Sequence, residues 1–583
     1  MNHRARGGSG RSSQAARAES TAHSREYEVP ASRTRHIEGT TADGTVLRRA
    51  ERITWLACAV VLAVWAVAYL TWPFSNDQGN LAWVGDVVLS GGMPFRDAWD
   101  VKGPGAHLMF AFVEMVFGRN EWGVRLFDLV MLAGCAACLR SIVREYAGRG
   151  AMRWSVVLFL LWYASLDHHN TAQPDAWAGV MITGTVALMV TRTRLSTISG
   201  FVSGVLIGYC ALIKPTYLLF FALPLLDGWC HLRAEGVGRT VRFWLASGVG
   251  LVLPIALCIG WFWYRGALDD WIAVHLHWIP SSYADVSAAW LNRGQYLLAF
   301  LTTERFAPAV PLAIGGLWLV RQQSDRDVVM LVAWIAAAAF GVLVQGHFYE
   351  YHWLPIYPPL ALLAGIGLDA LWTWVTDDGT VRSASPTIAE RVPRDLPVVT
   401  SIAVTLAAVV LLGAVTGPFL HVYRLSGAVV TGDFSDYERI EFGPFAHHGG
   451  VFPELVDYLQ ARTGPADAVV LWGSAAGVNY LSDRPAVGPF GFIQPLVDPP
   501  DTELRREYRA RFMARLTSVP PRYIVALNAA ACSRSPSPDE RKLMGQAQGL
   551  MRCLDDLPPL SAFVSARFVK DRVVGPLEVW RVR

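Results

Sequence analysis

Residues 53–105 read ITWLACAVVLAVWAVAYLTWPFSNDQGNLAWVGDVVLSGGMPFRDAWDVKGPG, and the change of character within them decides what kind of protein this is. From Ile53 to Pro73 there is no charged side chain. About 20 such residues, at about 1.5 Å of rise each, cross a hydrocarbon core about 30 Å thick. Asp77, Asp86, Asp97, Asp100 and Lys102 follow at once, so the first exposed connection is rich in acids and ends on a cation. Residues 1–50, ahead of the span, have too few aromatic and β-branched side chains to bury a core and read as a disordered tail. That tail is too long for the basic leader of a signal peptide, and no small-residue cleavage site follows the apolar run, so the span is expected to be retained.

The whole chain extends this reading. Of its 583 residues 53% are hydrophobic and 17% charged, below the roughly 25% charged of soluble domains, and the mean hydropathy is positive. A net charge of only +3 argues for no particular polyanionic partner, and no nucleic acid is expected. Eleven spans are expected, at 53–73, 122–143, 154–167, 174–191, 197–213, 216–230, 242–264, 306–321, 327–346, 353–375 and 397–420. With the tail inside, the inner connections REYAGRGAMR, TRTR, HLRAEGVGRTVR, RQQSDRD and 376–396 all carry arginine, whereas the outer HHNTAQ and GHFYEYH carry none. An odd span count places the C-terminus outside.

GAHLMFAFVEMVFG (105–118) is apolar but short. Its Leu108, Met109, Phe112, Val113 and Val116 repeat at helical spacing, which predicts an interfacial amphipathic helix with that stripe facing lipid or the spans. Residues 78–90 read as a second short helix stopped at Gly91-Gly92, so the first outer loop, 74–121, is two juxtamembrane helices. Beyond the last span, helical patterns at Glu454–Arg462 and Thr502–Leu516 alternate with strands at Ala468–Trp472 and Tyr523–Leu527, and 565–583 reads as a hairpin. The expected fold is therefore an α-helical polytopic membrane protein with a small C-terminal extracytoplasmic α/β domain, divided into 1–50, 51–421 and 422–583. Six of the eight cysteines lie in apolar runs; Cys532 and Cys553 lie in polar sequence, where an extracytoplasmic setting allows a disulfide.

Ionisable groups at membrane depth cost about 2.5–3.5 kcal/mol each, and this topology gathers them on the outer face. Asp77, Asp97, Asp100 and Lys102 lie in the first loop, His168, His169, Asn170 and Asp175 in the next, then Lys214, His275 and His277, and last His347, Tyr349, Glu350, Tyr351 and His352. Each has a plainer reading. Asp77 after Ser75 and Asn76 fits a helix cap, Lys102 a snorkelling residue, and Asp175 a partner for a helix dipole. Adjacent His168 and His169 do not face the same way, which favours an interfacial loop over a metal site, and HFYEYHW fits an aromatic belt.

The same residues carry a resemblance. An Asp-bearing motif after the first span (Asp77), G-x-P-[FY]-x-D (Gly92, Pro94, Phe95, Asp97), [DE]-x-K-x-P (Asp100, Lys102, Pro104) and FG-x-N-x-x-x-x-R-L (Phe117, Gly118, Asn120, Arg125, Leu126) occur in order. The series resembles that of bacterial multi-pass, lipid-donor glycosyltransferases of the protein-mannosyltransferase and aminoarabinose-transferase type. IKPTYLLF, YHWLPIYPPLALLAGIGL, VVLWGSAAGVNYLSDRPA and PRYIVAL add to it.

The resemblance implies a GT-C-like architecture in the plasma membrane. It implies a polyprenyl-phosphate-linked sugar as donor and a glycan, lipid or protein acceptor on the outer face. Displacement at the anomeric carbon needs a base near the acceptor and cationic stabilisation of the departing phosphate. Asp77 is the expected base, Lys102 and Lys214 the expected phosphate partners, and inversion the expected stereochemistry. Asp97, Asp100, Asp175, His168, His169, His352 and Glu350 are expected around them. No motif demands a metal, though a divalent cation is compatible with this chemistry. The sequence departs from the family at Gln78, where a second acid is common. A polytopic transporter or lipid flippase, or a non-catalytic envelope-assembly partner, is the alternative reading of the same composition.

Overall fold

The computed structural model describes residues 42–283, 290–303, 305–376, 397–446, 451–497, 501–533 and 551–583. Helix α1 (Ala42–Tyr69) begins ahead of residue 50, so 42–50 continue the first span's helix instead of belonging to a tail. Nothing in ADGTVLRRA breaks a helix that the following apolar run already stabilises. The expectation for residues 1–41 lies outside the described residues.

Helices α2 (Asn76–Leu89) and α3 (Pro104–Phe117) follow and pack on one another. The bundle continues through α4 (Trp122–Val143), α5 (Arg149–Ala164), α6 (Pro174–Val190), α7 (Thr197–Ile213), a 3₁₀ segment (Pro215–Phe221), α8 (Ala222–Glu235) and α9 (Val237–Tyr264). Later helices cover Ala309–Arg321, Asp325–Gln345, Tyr357–Thr376 and Pro397–Thr431. Among the described residues six helices are long and apolar enough to cross a membrane: Arg49–Tyr69, Trp122–Val143, Val237–Tyr264, Asp325–Gln345, Glu350–Trp374 and Thr405–Thr431. The other expected spans fall on α5, α6, α7, the 3₁₀ segment with α8, and Ala309–Arg321, all shorter.

Small residues set close helix contacts. A Cβ on Gly204 of α7 would run into the Ser247 carbonyl of α9, and one on Gly250 into that of Phe201. Such close approach is how helices adhere where lipid is as apolar as any side chain. The exterior is correspondingly apolar, with Leu56, Val67, Leu257 and Trp263 all exposed, while Trp154, Trp162, Trp177 and Trp334 fill the interior.

The helix Pro397–Thr431 runs straight through the expected boundary at 421–422 and stops only at Gly432, whose φ is +70°. Pro418 lies inside this helix without ending it, so composition changes before the structure does. Beyond it, a helix (Val451–Arg462) leads to a four-stranded sheet of order β1-β2-β4-β3, formed by β1 (Val469–Leu471), β2 (Tyr523–Leu527), β3 (Phe568–Val574) and β4 (Leu577–Val582). β1 and β2 are parallel, joined through the helix Glu503–Ser518, and the rest is antiparallel. Gly575, at φ +54°, turns the β3–β4 hairpin. Cys532 and Cys553 are disulfide-bonded, with Cα atoms 5.9 Å apart.

This unit packs on the connection between α1 and α4. The helix Ala476–Ser482 meets α2 where a Cβ on Gly79 would lie 2.8 Å from the Gly477 Cα. Trp99 N donates to the Pro489 carbonyl at 2.7 Å, and Arg511 Nη2 to the Arg96 carbonyl at 3.1 Å.

Candidate active site

The chain leaves α1 and turns into α2 at Ser75, which is the N-cap. Its Oγ accepts from Gln78 N, and Gln78 Oε1 accepts from Ser75 N at 3.0 Å, a complete capping box. Asp77 is therefore not the cap: the cap oxygen is already supplied one position before the helix starts, and Asp77 sits in the first turn with its carboxylate free for other partners. The two helices match the sequence reading in extent, and the apolar stripe of α3 divides between buried and exposed positions. Its buried side is Ala106, His107, Met109, Phe110 and Val113, whereas Phe112, Met115 and Val116 are exposed.

Gln78 has a second role. Its amide donates to the carbonyls of His168 at 2.9 Å and Thr171 at 2.5 Å, tying α2 to the connection before α6. Its Oε1 also accepts from Arg125 Nη2 at 2.7 Å. Arg125, fully buried, binds the Trp72 and Pro73 carbonyls, Tyr69 Oη and Thr171 Oγ1 as well. A carboxylate at position 78 could not donate to the two carbonyls. The departure from a paired-acid motif thus has a structural meaning here.

The turn between α2 and α3 explains the remaining motif residues. Phe95 has φ +69°, a costly backbone for a bulky residue, and Phe95 N donates to the Ala98 carbonyl. Asp97 closes this turn by accepting from Met93 N at 2.8 Å and pairing with Arg96, whose guanidinium reaches the Arg265 carbonyl. Burial would raise Asp97, but the Arg96 hydrogen bonds hold it below the usual carboxylate range. Asp100 is buried against His107, with Oδ2 2.9 Å from Nε2. There too burial opposes ionisation, and the His107 contact holds the carboxyl below its ordinary value. Both acids are thereby spent on holding the loop.

Their work delivers Lys102. Its Nζ lies 2.7 Å from Asp77 Oδ2, with the two side chains 16% and 24% exposed, so the pair is reachable from outside the protein. Burial would push the Lys102 ammonium down, but Asp77, with Tyr351 and Asp100, holds it well above the ordinary lysine value. A second pair stands beside the first: Lys214 Nζ is 2.5 Å from Asp175 Oδ1, which also accepts from Tyr217 Oη at 2.6 Å. Burial pushes Lys214 below the ordinary lysine value, and Asp175 offsets it only in part. The Tyr351 ring joins the pairs, its centroid 5.1 Å from Lys102 Nζ and 5.9 Å from Lys214 Nζ. Tyr351 is itself positioned by its N–H donating to Asn170 Oδ1 at 3.1 Å.

The other candidates divide. His352 is buried beside these pairs, and its ring bonds the His347 carbonyl at 2.6 Å. His168 is turned away, with Nδ1 donating to the Glu441 carbonyl at 3.0 Å; burial holds it neutral, far below the usual histidine value. The His169 ring packs tilted against His168, and His169 is pushed down by burial, with Asp167 and Asp77 opposing. Glu350 is spent on Arg305, at 2.7 Å. His275 packs edge-on against Phe95, and burial pushes it down to about 4. Among the described residues no three His, Cys, Asp or Glu side chains converge as a metal site. Sequence spacing missed His107, Gln78 and Arg125 as organisers, because their partners lie on other elements.

No model of a known protein family matches the sequence, and neither does any curated protein. Solved structures do match. The crystal structure of ArnT from Cupriavidus metallidurans bound to undecaprenyl phosphate superposes with a TM-score of 0.53 at 15% identity, covering 93% of this chain and 98% of that one. The same protein in the apo state gives 0.53 at 16% identity, covering 91% and 98%. At such identity the likeness shows the fold, a GT-C-like helical bundle with a small C-terminal sheet, and it extends over nearly the whole of both chains.

Proposed function

We propose that the chain is a membrane glycosyltransferase that moves a sugar from a polyprenyl-phosphate-linked donor to a hydroxyl or amine acceptor at the outer face of the membrane. The observation that carries this reading is the pairing of Asp77 with Lys102 beside Lys214 and Asp175, around one tyrosine ring. A carboxylate and two ammonium groups on a partly open surface are what displacement at an anomeric carbon requires. The undecaprenyl phosphate held by the structurally similar ArnT supports a lipid phosphate as the donor's anchor.

In this mechanism the donor phosphate enters between Lys102 and Lys214 and competes with Asp77 for Lys102. As the ammonium turns to the phosphate, Asp77 loses its counter-ion and becomes the better base, so donor binding arms the carboxylate. Asp77 then takes the acceptor proton as the acceptor oxygen or nitrogen attacks the anomeric carbon. The sugar–phosphate C–O bond breaks, its electron pair stays on the lipid phosphate, and the two lysines hold the resulting charge. Attack opposite the leaving phosphate inverts the configuration. Asp97, Asp100 and His107 act by position, fixing the loop that carries Lys102.

The test is to incubate membranes containing the full chain with a panel of labelled polyprenyl-phosphate sugars and follow label into acceptor. The expected result is transfer from at least one donor with inverted configuration. Retention of configuration would sink direct displacement, and movement of intact donor across the bilayer without transfer would replace the reading with a flippase.

A further inference from the structure

At the end of the bundle away from Asp77, α1, α4 and α5 enclose a cleft of about 800 Å³. About 25 Å of α1 separates Arg52, on its rim, from Tyr69 near the active site, close to the thickness of a hydrocarbon core. Four guanidinium groups line the cleft: Arg52 from α1, Arg140 from the last turn of α4, and Arg149 and Arg153 from the start of α5. All four are exposed, and among the described residues none makes an ion pair.

Two of the acids nearby are already engaged. Glu51 accepts from Trp55 Nε1 at 3.3 Å, and Asp369 accepts from the Ala151 N–H at the start of α5. The floor is apolar: Trp55, which packs on Trp154 at 4.3 Å, continues into Ala59 and Val157, and Leu56 and Val60 of α1 extend an exposed apolar surface beside it. Four cations around an aliphatic floor exceed what a free inorganic anion would use, because the anion leaves the floor uncovered. They match a phosphate head with an attached acyl chain, each guanidinium offering a planar fork to phosphate oxygens.

We propose that this cleft binds an anionic phospholipid of the leaflet opposite the Asp77 site. Its phosphate lies among Arg140, Arg149 and Arg153, and an acyl chain lies along Trp55 and Val157. The bound lipid bridges three helices whose neighbouring connections carry like charge, and so steadies that end of the bundle.

The full chain is reconstituted in nanodiscs of phosphatidylcholine mixed with phosphatidylglycerol, released, and its retained lipids counted by native mass spectrometry. Wild type is expected to retain phosphatidylglycerol preferentially, and each arginine removed in R140Q, R149Q and R153Q to lower that retention about fivefold. Short-chain phosphatidylglycerol is expected to raise the melting temperature of wild type, with inorganic phosphate at equal concentration having no such effect. Equal retention of the two lipids by wild type overturns the proposal, as does unchanged retention in the variants. Equal protection by inorganic phosphate also overturns it, identifying a general anion site instead. The triple variant R140Q/R149Q/R153Q is expected to lose the preference altogether, and if it does not fold the single variants are read against the same fivefold expectation. Sugar transfer is not the readout, so the outcome is independent of the proposed activity.

Discussion

Two polar assemblies built from neighbouring residues stand side by side at the start of α2, and their polar groups are spent in opposite ways. Around Gln78 and Arg125 the polar groups are buried and bonded to fixed carbonyls, a closed network that holds the exit of α1, the start of α2 and the connection before α6 together. One residue earlier, Asp77 meets Lys102 in a partly open pair whose partners a ligand can exchange. A site needs both: valence left unspent where chemistry happens, and valence fully spent immediately behind it.

Exchanging these roles breaks the contrast most sharply. Asp77→Asn keeps the shape but removes the proton acceptor, and is expected to lower transfer by about 10²–10⁴-fold while leaving the melting temperature close to wild type. Near-normal turnover in that variant eliminates the base assignment. Gln78→Glu is the converse: it restores the acid common in the resembled family, yet it strips the donors from two buried carbonyls, each loss worth about 1–3 kcal/mol. Its expected phenotype is poor folding, measured as yield and melting temperature, with activity lost only in proportion. A Gln78→Glu protein as stable as wild type would show that the network is not what holds the loop.

Lys102→Ala sharpens the open side. It removes the phosphate's counter-ion and is expected to cost about 100-fold in kcat/KM for the donor, with the acceptor KM little changed. Unchanged donor kinetics would move the phosphate away from Lys102.

How much of this was legible in the sequence follows the same division. Local signals were readable: the extents of α2 and α3, strand β2, and the terminal hairpin match their residue patterns, because turns, caps and periodicity act over a few positions. The sequence left two facings open for the apolar stripe on α3, lipid or the spans, and the helix takes both, with Met109 and Val113 buried and Phe112 and Val116 exposed. Where the outside is lipid, Phe112 and Met115 gain nothing by turning inward, so apolarity no longer marks the buried face. Gln78 and Asp100 could not be assigned from spacing either, since the atoms that define them, the His168 and Thr171 carbonyls and the His107 ring, are brought close only by the fold. Lys102 and Asp77 were identifiable as candidates by residue type and resemblance, but not their direct contact.

A third cluster lies towards the other end of α2, where α2 and α3 meet the C-terminal unit. Arg119 bridges Asp86 at 2.6 Å and Asp483 at 2.8 Å, and Glu114 stands beside them. Burial, reinforced by the neighbouring Asp86 charge, pushes Glu114 up to about 7. A carboxyl whose folded value is raised binds a proton more readily folded than unfolded. Its stabilisation is therefore complete below its unfolded value near 4.5 and is lost as pH rises through about 7. The full chain in detergent is accordingly expected to melt a few degrees higher at about pH 5 than at about pH 8, while Glu114→Gln, which cannot ionise, flattens that dependence. An unchanged slope in Glu114→Gln would assign the dependence to other groups. A flattened slope would make this junction a joint whose tightness follows the proton.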